Sequence, residues 1–125
     1  MYNIEKSPLR VKSVAFAARI TKMVDYLQKN SLKKNFSIYN QVLRSGTSIM
    51  ANVSESQFAQ SRADFITKLH IALKEANETN NWLILLYRDQ ELAEPQFLSI
   101  HADCNELIAM LVASLNTSKK NNEQE

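Results

Sequence analysis

A chain of 125 residues, 45% of them apolar, suits one domain that buries a core without disulfides or metals. One glycine and two prolines are too few for the turns of an all-β protein, so the composition indicates an all-α fold. The single cysteine, Cys104, excludes an internal disulfide and fits a reducing compartment, and without a signal peptide or a membrane-length apolar run we expect a cytoplasmic protein.

The formal net charge of +2 is too small to indicate nucleic-acid binding, but the charge is unevenly distributed. Residues 1–62 carry ten Lys and Arg against three Asp and Glu, whereas residues 63–125 carry five against ten. Two interpretations follow. Basic and acidic helices attract each other within the fold or between subunits, or the basic half forms a surface for a polyanion.

The first predicted element is an amphipathic helix over about 8–30. Phe16, Ile20, Met23 and Leu27 recur at helical spacing, and Pro8 is tolerated in a first turn. We expect residues 1–8 to form a flexible N-terminal segment, followed by one bundle domain over residues 9–116.

The second and third helices are predicted from their start signals. Ser37 is a suitable N-cap for a helix over about 38–59. Ser61 and Asp64 have the spacing of a capping box, which opens a third helix over about 62–88.

The fourth helix begins near Pro95, and residues 117–125 are predicted to be a frayed polar tail. Its apolar side carries Phe97, His101, Cys104, Ile108, Leu111 and Leu115. Four helices of some five to seven turns, joined by short connectors, favour antiparallel neighbours. The predicted fold is therefore an antiparallel, up-down-up-down four-helix bundle.

The stretch SGTSIMANVSES, residues 45–56, combines the only glycine with many polar side chains. The apolar period of the second helix runs straight through Gly46, so the stretch is predicted to be helical and not a loop. Glycine costs about 1 kcal/mol in a helix interior, which indicates close approach of a neighbouring helix as compensation. The small residues Ala72 and Ala76 place that neighbour on the third helix.

Polar residues of the second and third helices fall inside or beside the core-facing arcs. We predict one buried polar network between these helices, formed by Arg44, Ser48, Asn52, Glu55, Glu75 and Thr79. The network either sets the register of the two helices or forms a ligand or catalytic site.

The sequence lacks the usual signatures of catalysis. Di-iron bundles need Glu-x-x-His pairs, but Thr67 precedes His70 and Leu98 precedes His101 at that spacing. His101 and Cys104 could supply two metal ligands, which is too few for structural zinc. One glycine cannot build a phosphate loop, and no histidine lies near the serines in sequence. We expect no catalytic residues, metal or cofactor, and therefore no enzyme.

The third helix carries a second apolar stripe beside its core stripe, formed by Ile66, Leu73 and Ile84. Such a stripe indicates either a wide core or a contact between subunits. These three residues are our candidates for a subunit interface.

Residues 43–86 resemble the four-helix-bundle family named for proteins encoded in intervening sequences of bacterial 23S ribosomal RNA genes. The second helix has that family's arginine, serine, Ala-Asn and glutamate at Arg44, Ser48, Ala51, Asn52 and Glu55. The third helix matches it at Phe65, Leu69, Ala76 and Glu78, with Glu75 close by. Family members often place a glycine after the glutamate of the second helix, where this chain has Ser56.

The resemblance implies a bacterial bundle that assembles into a ring-like homopentamer without known catalytic activity. One relative, the accessory variability protein of diversity-generating retroelements, is similar and binds a reverse transcriptase and nucleic acid. We therefore predict an oligomeric scaffold that binds RNA or a nucleic-acid-processing protein. The alternative is a protein-interaction module without nucleic-acid binding. The candidate phosphate contacts are Arg10, Lys12, Arg19, Lys22, Lys33 and Lys34.

Overall fold

The structure, a computed structural model, describes residues 7–124. Four helices fill this range: α1 (Pro8–Asn30), α2 (Phe36–Ser56), α3 (Arg62–Arg88) and α4 (Glu94–Gln124). Each helix packs against the next in the chain, and α4 returns to α1. Gln57, just after α2, donates to Ser7, just before α1, so these helices run antiparallel. The predicted all-α, up-down-up-down four-helix bundle is confirmed.

The helix starts follow local capping chemistry. The Ser7 hydroxyl accepts from the Arg10 N–H at 3.2 Å and caps α1, whose first residue is Pro8. The Ser61 hydroxyl accepts from the Asp64 N–H at 3.1 Å, as the predicted capping box requires. In a capping box the Asp64 carboxylate would also accept from the N–H of Ser61. Here it accepts instead from the N–H of Gln60, one residue earlier.

Helix α2 begins two residues earlier than predicted. Its N-cap is Asn35, whose side chain makes no capping hydrogen bond, and Ser37 lies inside the helix. Lys34, the residue before the N-cap, has a positive φ of 51°. This backbone conformation turns the chain into α2 without a side-chain cap. The helix also ends at Ser56 and not at the predicted Ala59.

The core lies along the bundle axis and receives side chains from all four helices. Its largest fully buried members include Tyr39, Ile20, Leu27, Ile49, Leu69, Leu83, Leu86, Leu107 and Leu111. Helices α2 and α4 also deliver Val53 and Leu115 to it. Burial of this apolar surface stabilises the fold by about 25 cal/mol per Å² removed from water.

Gly46 is buried, and its neighbour differs from the predicted one. A Cβ atom at Gly46 would lie 2.9 Å from Cγ2 and 3.0 Å from Cγ1 of Ile20. The close approach therefore comes from α1, and the prediction that α3 supplies it through Ala72 and Ala76 is wrong. Those two alanines are buried elsewhere in the core.

The chain ends differ from the predicted domain limits. Helix α4 continues through residues 117–124, so the predicted polar tail is helical as far as Gln124. Of the predicted N-terminal segment, residues 1–6 lie outside the described residues, and Pro8 already belongs to α1. Among the residues described, one helical stretch, Glu94–Lys120, is long and apolar enough by composition to cross a membrane. It contributes Cys104, Leu107, Leu111 and Leu115 to the bundle core.

Candidate functional site

The predicted buried network separates into several smaller groups, of which the first lies on the surface between α2 and α3. Arg44 Nη1 lies 3.0 Å from Glu75 Oε2, and Nη2 contacts the carboxylate of Glu78. The Arg44 side chain is 48% exposed, whereas that of Glu75 is only 14% exposed. Trp82 Nε1 donates to Glu78 at 3.1 Å and fixes that carboxylate. The group is a charged clamp across two helices and not part of the core.

The electrostatics of this clamp favour the charged form of the arginine. Desolvation acts to lower the pKa of Arg44, but the hydrogen bonds and negative charges of Glu75 and Glu78 outweigh it and the pKa is raised. The two carboxylates therefore stabilise the positive charge of the guanidinium in the clamp.

The polar residues in the next turns of α2 form local contacts instead of joining the clamp. Asn52 donates to the Ser48 carbonyl within the same helix at 2.9 Å. The Glu55 side chain is 58% exposed and pairs with Lys68 of α3 at 3.1 Å. The prediction of one buried network is therefore corrected: Arg44 and Glu55 lie at the surface, because long charged side chains reach solvent from the edge of a helix interface.

One fully buried polar contact does join α2 and α3. Thr79 Oγ1 lies 2.8 Å from Ser45 Oγ and also 2.8 Å from the Glu75 carbonyl, and both hydroxyl residues have no exposed surface. Ser45 also lies 3.3 Å from the Val42 carbonyl, to which it donates. Thr79 belongs to the predicted network, but its partner on α2 is Ser45, which the prediction did not include, and not Asn52 or Glu55. The pair therefore joins α2 to α3 through two hydroxyls inside the core.

The candidate phosphate contacts are mostly engaged within the chain. Lys12 pairs with Glu106 at 3.0 Å and Arg19 with Asp103 at 2.5 Å, so basic side chains of α1 meet acidic ones of α4. Lys33 pairs with Asp89 at 2.9 Å in the same way, across two connectors. Part of the uneven charge therefore serves attraction within the fold.

The other three candidates differ in their partners. Arg10 Nη1 donates to Ser54 Oγ at 2.6 Å, and Lys34 Nζ donates to the Gln28 carbonyl at 3.0 Å. Lys22 makes no ion pair with any described residue and lines a groove of about 260 Å³ between α1 and α4. The groove has an apolar floor that includes Met23 and Ile100. The structure does not gather the six candidates into one continuous surface of free cations.

The candidate interface residues of α3 are half-buried. Ile66, Leu73 and Ile84 pack against the core, so the stripe widens the core and leaves only part of each side chain outside. The more exposed apolar side chains of α3 are Ile71, at 36%, and Leu85, at 43%.

His101 and Cys104 face different partners. His101 Nδ1 lies 2.7 Å from Asn80 Oδ1, whereas Cys104 Sγ lies 3.4 Å from the Ala76 carbonyl. Burial, with a smaller effect of the Asp103 charge, raises the pKa of the Cys104 thiol to about 12. Among the described side chains, residues 7–120, no three from His, Cys, Asp or Glu come together as a metal-ligand set.

One polar cluster was missed by the sequence analysis. At the end of the bundle, Glu91 Oε1 accepts from the hydroxyl of the fully buried Tyr39 and from Ser31 Oγ, the latter at 2.9 Å. Burial and the Glu91 hydrogen bond raise the pKa of Tyr39. Glu91 lies 52 residues after Tyr39 and 60 residues after Ser31 in the sequence. Contacts between residues so far apart give no periodic signal. The role of the cluster is to tie two connectors together.

Ser56 occupies the position where the resembling family often has glycine. It is buried, with 3% of its surface exposed, and Oγ donates to the Val53 carbonyl at 2.6 Å. It borders a cavity of about 400 Å³ at the end of the bundle, together with Leu9, Phe65 and Met110. A serine therefore fits here without opening the helix.

Comparisons with known proteins identify relatives of this bundle. The model of the family described as 23S rRNA-intervening sequence protein matches residues 5–113. A solved structure of a protein with unknown function from the S23 ribosomal protein family, from Bacteroides thetaiotaomicron, is 47% identical. The match covers 86% of this chain and 97% of that one, with a TM-score of 0.82. No curated protein matches.

Proposed function

This chain belongs to the 23S rRNA-intervening sequence protein family, and we propose that it is a non-enzymatic scaffold that assembles from copies of itself. The resemblance of α2 and α3 to that family supports a homopentamer. The protein works in this proposal by presenting surfaces in a fixed arrangement, and it needs no cofactor. We place it in the cytoplasm, since its one cysteine is a buried thiol.

The observation that carries the proposal is the apolar surface that the bundle leaves exposed. Large apolar side chains are exposed on α1, α2 and α3 and in the connectors: Val11, Tyr26, Leu32, Phe36, Phe58, Ile71 and Leu85. Leu32 is 98% exposed and Phe58 is 68% exposed, at opposite ends of the bundle. Contacts with further protein chains remove such surface from water, which favours association.

RNA binding is the second candidate function. Several cations form no ion pair with a described residue: Lys22, Lys74, Arg88, Lys119 and Lys120. In contrast, Lys12, Arg19 and Lys33 would each have to leave a carboxylate to reach a phosphate. This cost favours protein contacts over RNA contacts as the primary role, and it leaves a protein-interaction module without nucleic-acid binding as the alternative.

The proposal is tested by the mass of the purified protein at low concentration, from light scattering on a sizing column with absorbance recorded at 260 and 280 nm. A protein-only assembly of about five chains supports the scaffold. An assembly with excess absorbance at 260 nm adds RNA as a ligand. A monomer with no bound nucleic acid overturns the proposal.

RNA binding has its own test, which is the salt dependence of affinity for single-stranded RNA. Affinity should fall with salt with a slope of roughly 0.7 per neutralised phosphate. Charge reversal of Lys33 and Lys34 should reduce that slope, whereas the same change at Lys29, which pairs with Asp25, serves as the control. A slope near zero contradicts phosphate binding. Pull-downs with and without nuclease then separate protein partners from RNA-bridged ones.

A further inference from the structure

The face of α4 that points away from the bundle has the residue spacing of a coiled-coil seam. This α4 seam consists of Leu98, Ala102, Asn105, Ala109, Val112 and Asn116, which follow one another at alternating intervals of four and three residues. All six are exposed, Leu98 by 53% and Val112 by 40%. A 4-3 alternation keeps a stripe on one side of a helix over about 27 Å, as packing against another helix requires.

The α4 seam is uncharged and exposed, and its one described side-chain hydrogen bond with another helix is at Asn105, whose Oδ1 accepts from Asn80 of α3 at 3.3 Å. Between Glu94 and Lys119 the only Asp, Glu, Lys or Arg side chains are Asp103 and Glu106, and both turn aside to pair with α1. The most apolar window of this helix has only 28% of its residues buried. A long uncharged helix face that leaves Leu98 and Val112 exposed indicates an interaction surface.

We propose that the α4 seam binds the same seam of a second copy of this chain, with the two helices antiparallel. Helix charge selects this partner and this direction. Glu94 begins the helix and Lys120 lies beyond the last seam residue, and neither forms an ion pair with a described residue. In an antiparallel pair centred on Leu107, each Glu94 meets the Lys120 of the other copy. A parallel pair would set like charges side by side, which is unfavourable.

The same alignment matches the sizes of the seam residues. It places Leu98 against Asn116, Ala102 against Val112 and Asn105 against Ala109, so each larger side chain faces a smaller or polar one. Alanines near the centre let two helix axes approach to about 8 Å, where backbone and side-chain packing is close. The contact is therefore self-complementary.

This contact is distinct from the ring in the proposed function. A two-fold contact joins identical patches and cannot by itself close a ring of five, whose contacts run head to tail. The α4 seam instead joins one assembly to another, or one chain to another where no ring forms. A single helix pair buries less surface than most stable interfaces, so the association should depend on concentration.

The test is sedimentation velocity of the full chain over a wide concentration range. The wild-type mass should double as concentration rises, from one chain to two or, where the five seams of one ring meet those of another, from five chains to ten. Ala109→Glu puts a charge at the centre of the seam and should abolish the doubling, with the low-concentration mass unchanged. Ala51→Glu, the same change at an exposed position of α2, is the control. Helix content by circular dichroism shows that each variant is folded.

Charge exchange tests the alignment of the two helices. Glu94→Lys alone should weaken the doubling about tenfold, since both ends of the antiparallel pair then carry like charges. Combining it with Lys120→Glu should restore most of that loss. If the combination is no better than Glu94→Lys alone, the antiparallel alignment is wrong.

Failure of this inference differs from failure of the ring. A five-chain assembly whose mass does not rise with concentration, or rises equally in Ala109→Glu, overturns the α4 contact and leaves the ring. A monomer that becomes a dimer, and loses this ability in Ala109→Glu, supports the contact without the ring. Cosedimentation of wild type but not Ala109→Glu with lipid vesicles, in place of self-association, identifies a membrane as the occupant and also overturns the proposal.

Discussion

Helix α1 has two neighbours, and it is held to them by different forces. Against α2 it packs closely, because Gly46 removes a side chain where Ile20 approaches. Against α4 it packs less closely, and a groove of about 260 Å³ lies between them. Along this side the two helices are joined by the Lys12–Glu106 and Arg19–Asp103 pairs. The first contact depends on shape and excludes water, whereas the second depends on half-exposed charges that salt screens. Stability should therefore reside mainly on the α2 side.

The largest expected effect comes from filling the α1–α2 contact. Gly46→Val would push a branched side chain into Ile20, and overpacking of this kind should lower the free energy of unfolding by about 3 kcal/mol. Chemical denaturation measures the loss. Ala51→Val, at an exposed site of the same helix, should cost no more than about 0.7 kcal/mol from helix propensity.

Ile20→Ala provides a second control for Gly46→Val. It removes both Ile20 carbon atoms that a Cβ at Gly46 would meet most closely, so the valine should cost much less in that background than in the wild type. Equal costs in both backgrounds would show that the close approach of α1 does not explain the glycine.

The inner face of α4 is buried in the core, like the side of α1 that faces α2, and unlike the edge where α4 meets α1. Because burial raises the pKa of the Cys104 thiol to about 12, the folded protein keeps the proton after the unfolded chain, with a thiol pKa of about 8.5, has lost it. Its contribution to stability is complete below pH 8.5 and is lost progressively as pH rises towards 12, by up to about 1.4 kcal/mol per pH unit.

Unfolding free energies at pH 8 to 9.5 check this dependence on Cys104, below the range where Tyr39 adds its own effect. Cys104→Ala removes the thiol and should flatten the dependence. A wild-type slope equal to that of Cys104→Ala would contradict the burial of a protonated thiol.

A smaller effect is expected for the hydroxyl pair of α2 and α3. Thr79→Val keeps the side-chain shape but removes the hydrogen bond to Ser45, and it should cost about 1 kcal/mol. Thermal unfolding measures it, with Thr67→Val at an exposed position of α3 as the control. Equal melting temperatures for the two variants would show that the buried pair contributes nothing to stability.

The smallest effects are expected at the α1–α4 edge. Lys12→Ala and Arg19→Ala should each cost less than about 1 kcal/mol, because their side chains are 48% and 41% exposed. The cost should shrink further in high salt. If either variant loses as much stability as Gly46→Val, the contrast between the two sides of α1 is wrong.

The elements that periodicity determines could be predicted, and those that depend on pairing between helices could not. The apolar period through Gly46 correctly predicts that this stretch is helical, but it cannot say which helix approaches the glycine. Small residues pointed to α3, whereas the side chain that approaches is the large Ile20 of α1. The sequence predicts one network for the polar residues of α2 because helical periodicity gives the direction in which a side chain leaves the helix, but not how far it extends. Long side chains such as Arg44 and Glu55 extend to the surface, whereas Ser45 is short enough to stay in the core.

The charges show the same limit. The uneven distribution of basic and acidic residues was visible in the sequence, but the choice between internal attraction and a polyanion surface required knowing that α1 lies beside α4. The Tyr39–Glu91 contact had no sequence signal at all, because it joins the start of α2 to the α3–α4 connector.

We propose that this bundle acts as an assembled scaffold built from its own copies. Native mass spectrometry of nuclease-treated protein at low concentration tests it most directly, because it counts chains after nucleic acid is removed. We expect a particle of five times the 14.3 kDa chain mass. A single species at 14.3 kDa would contradict it.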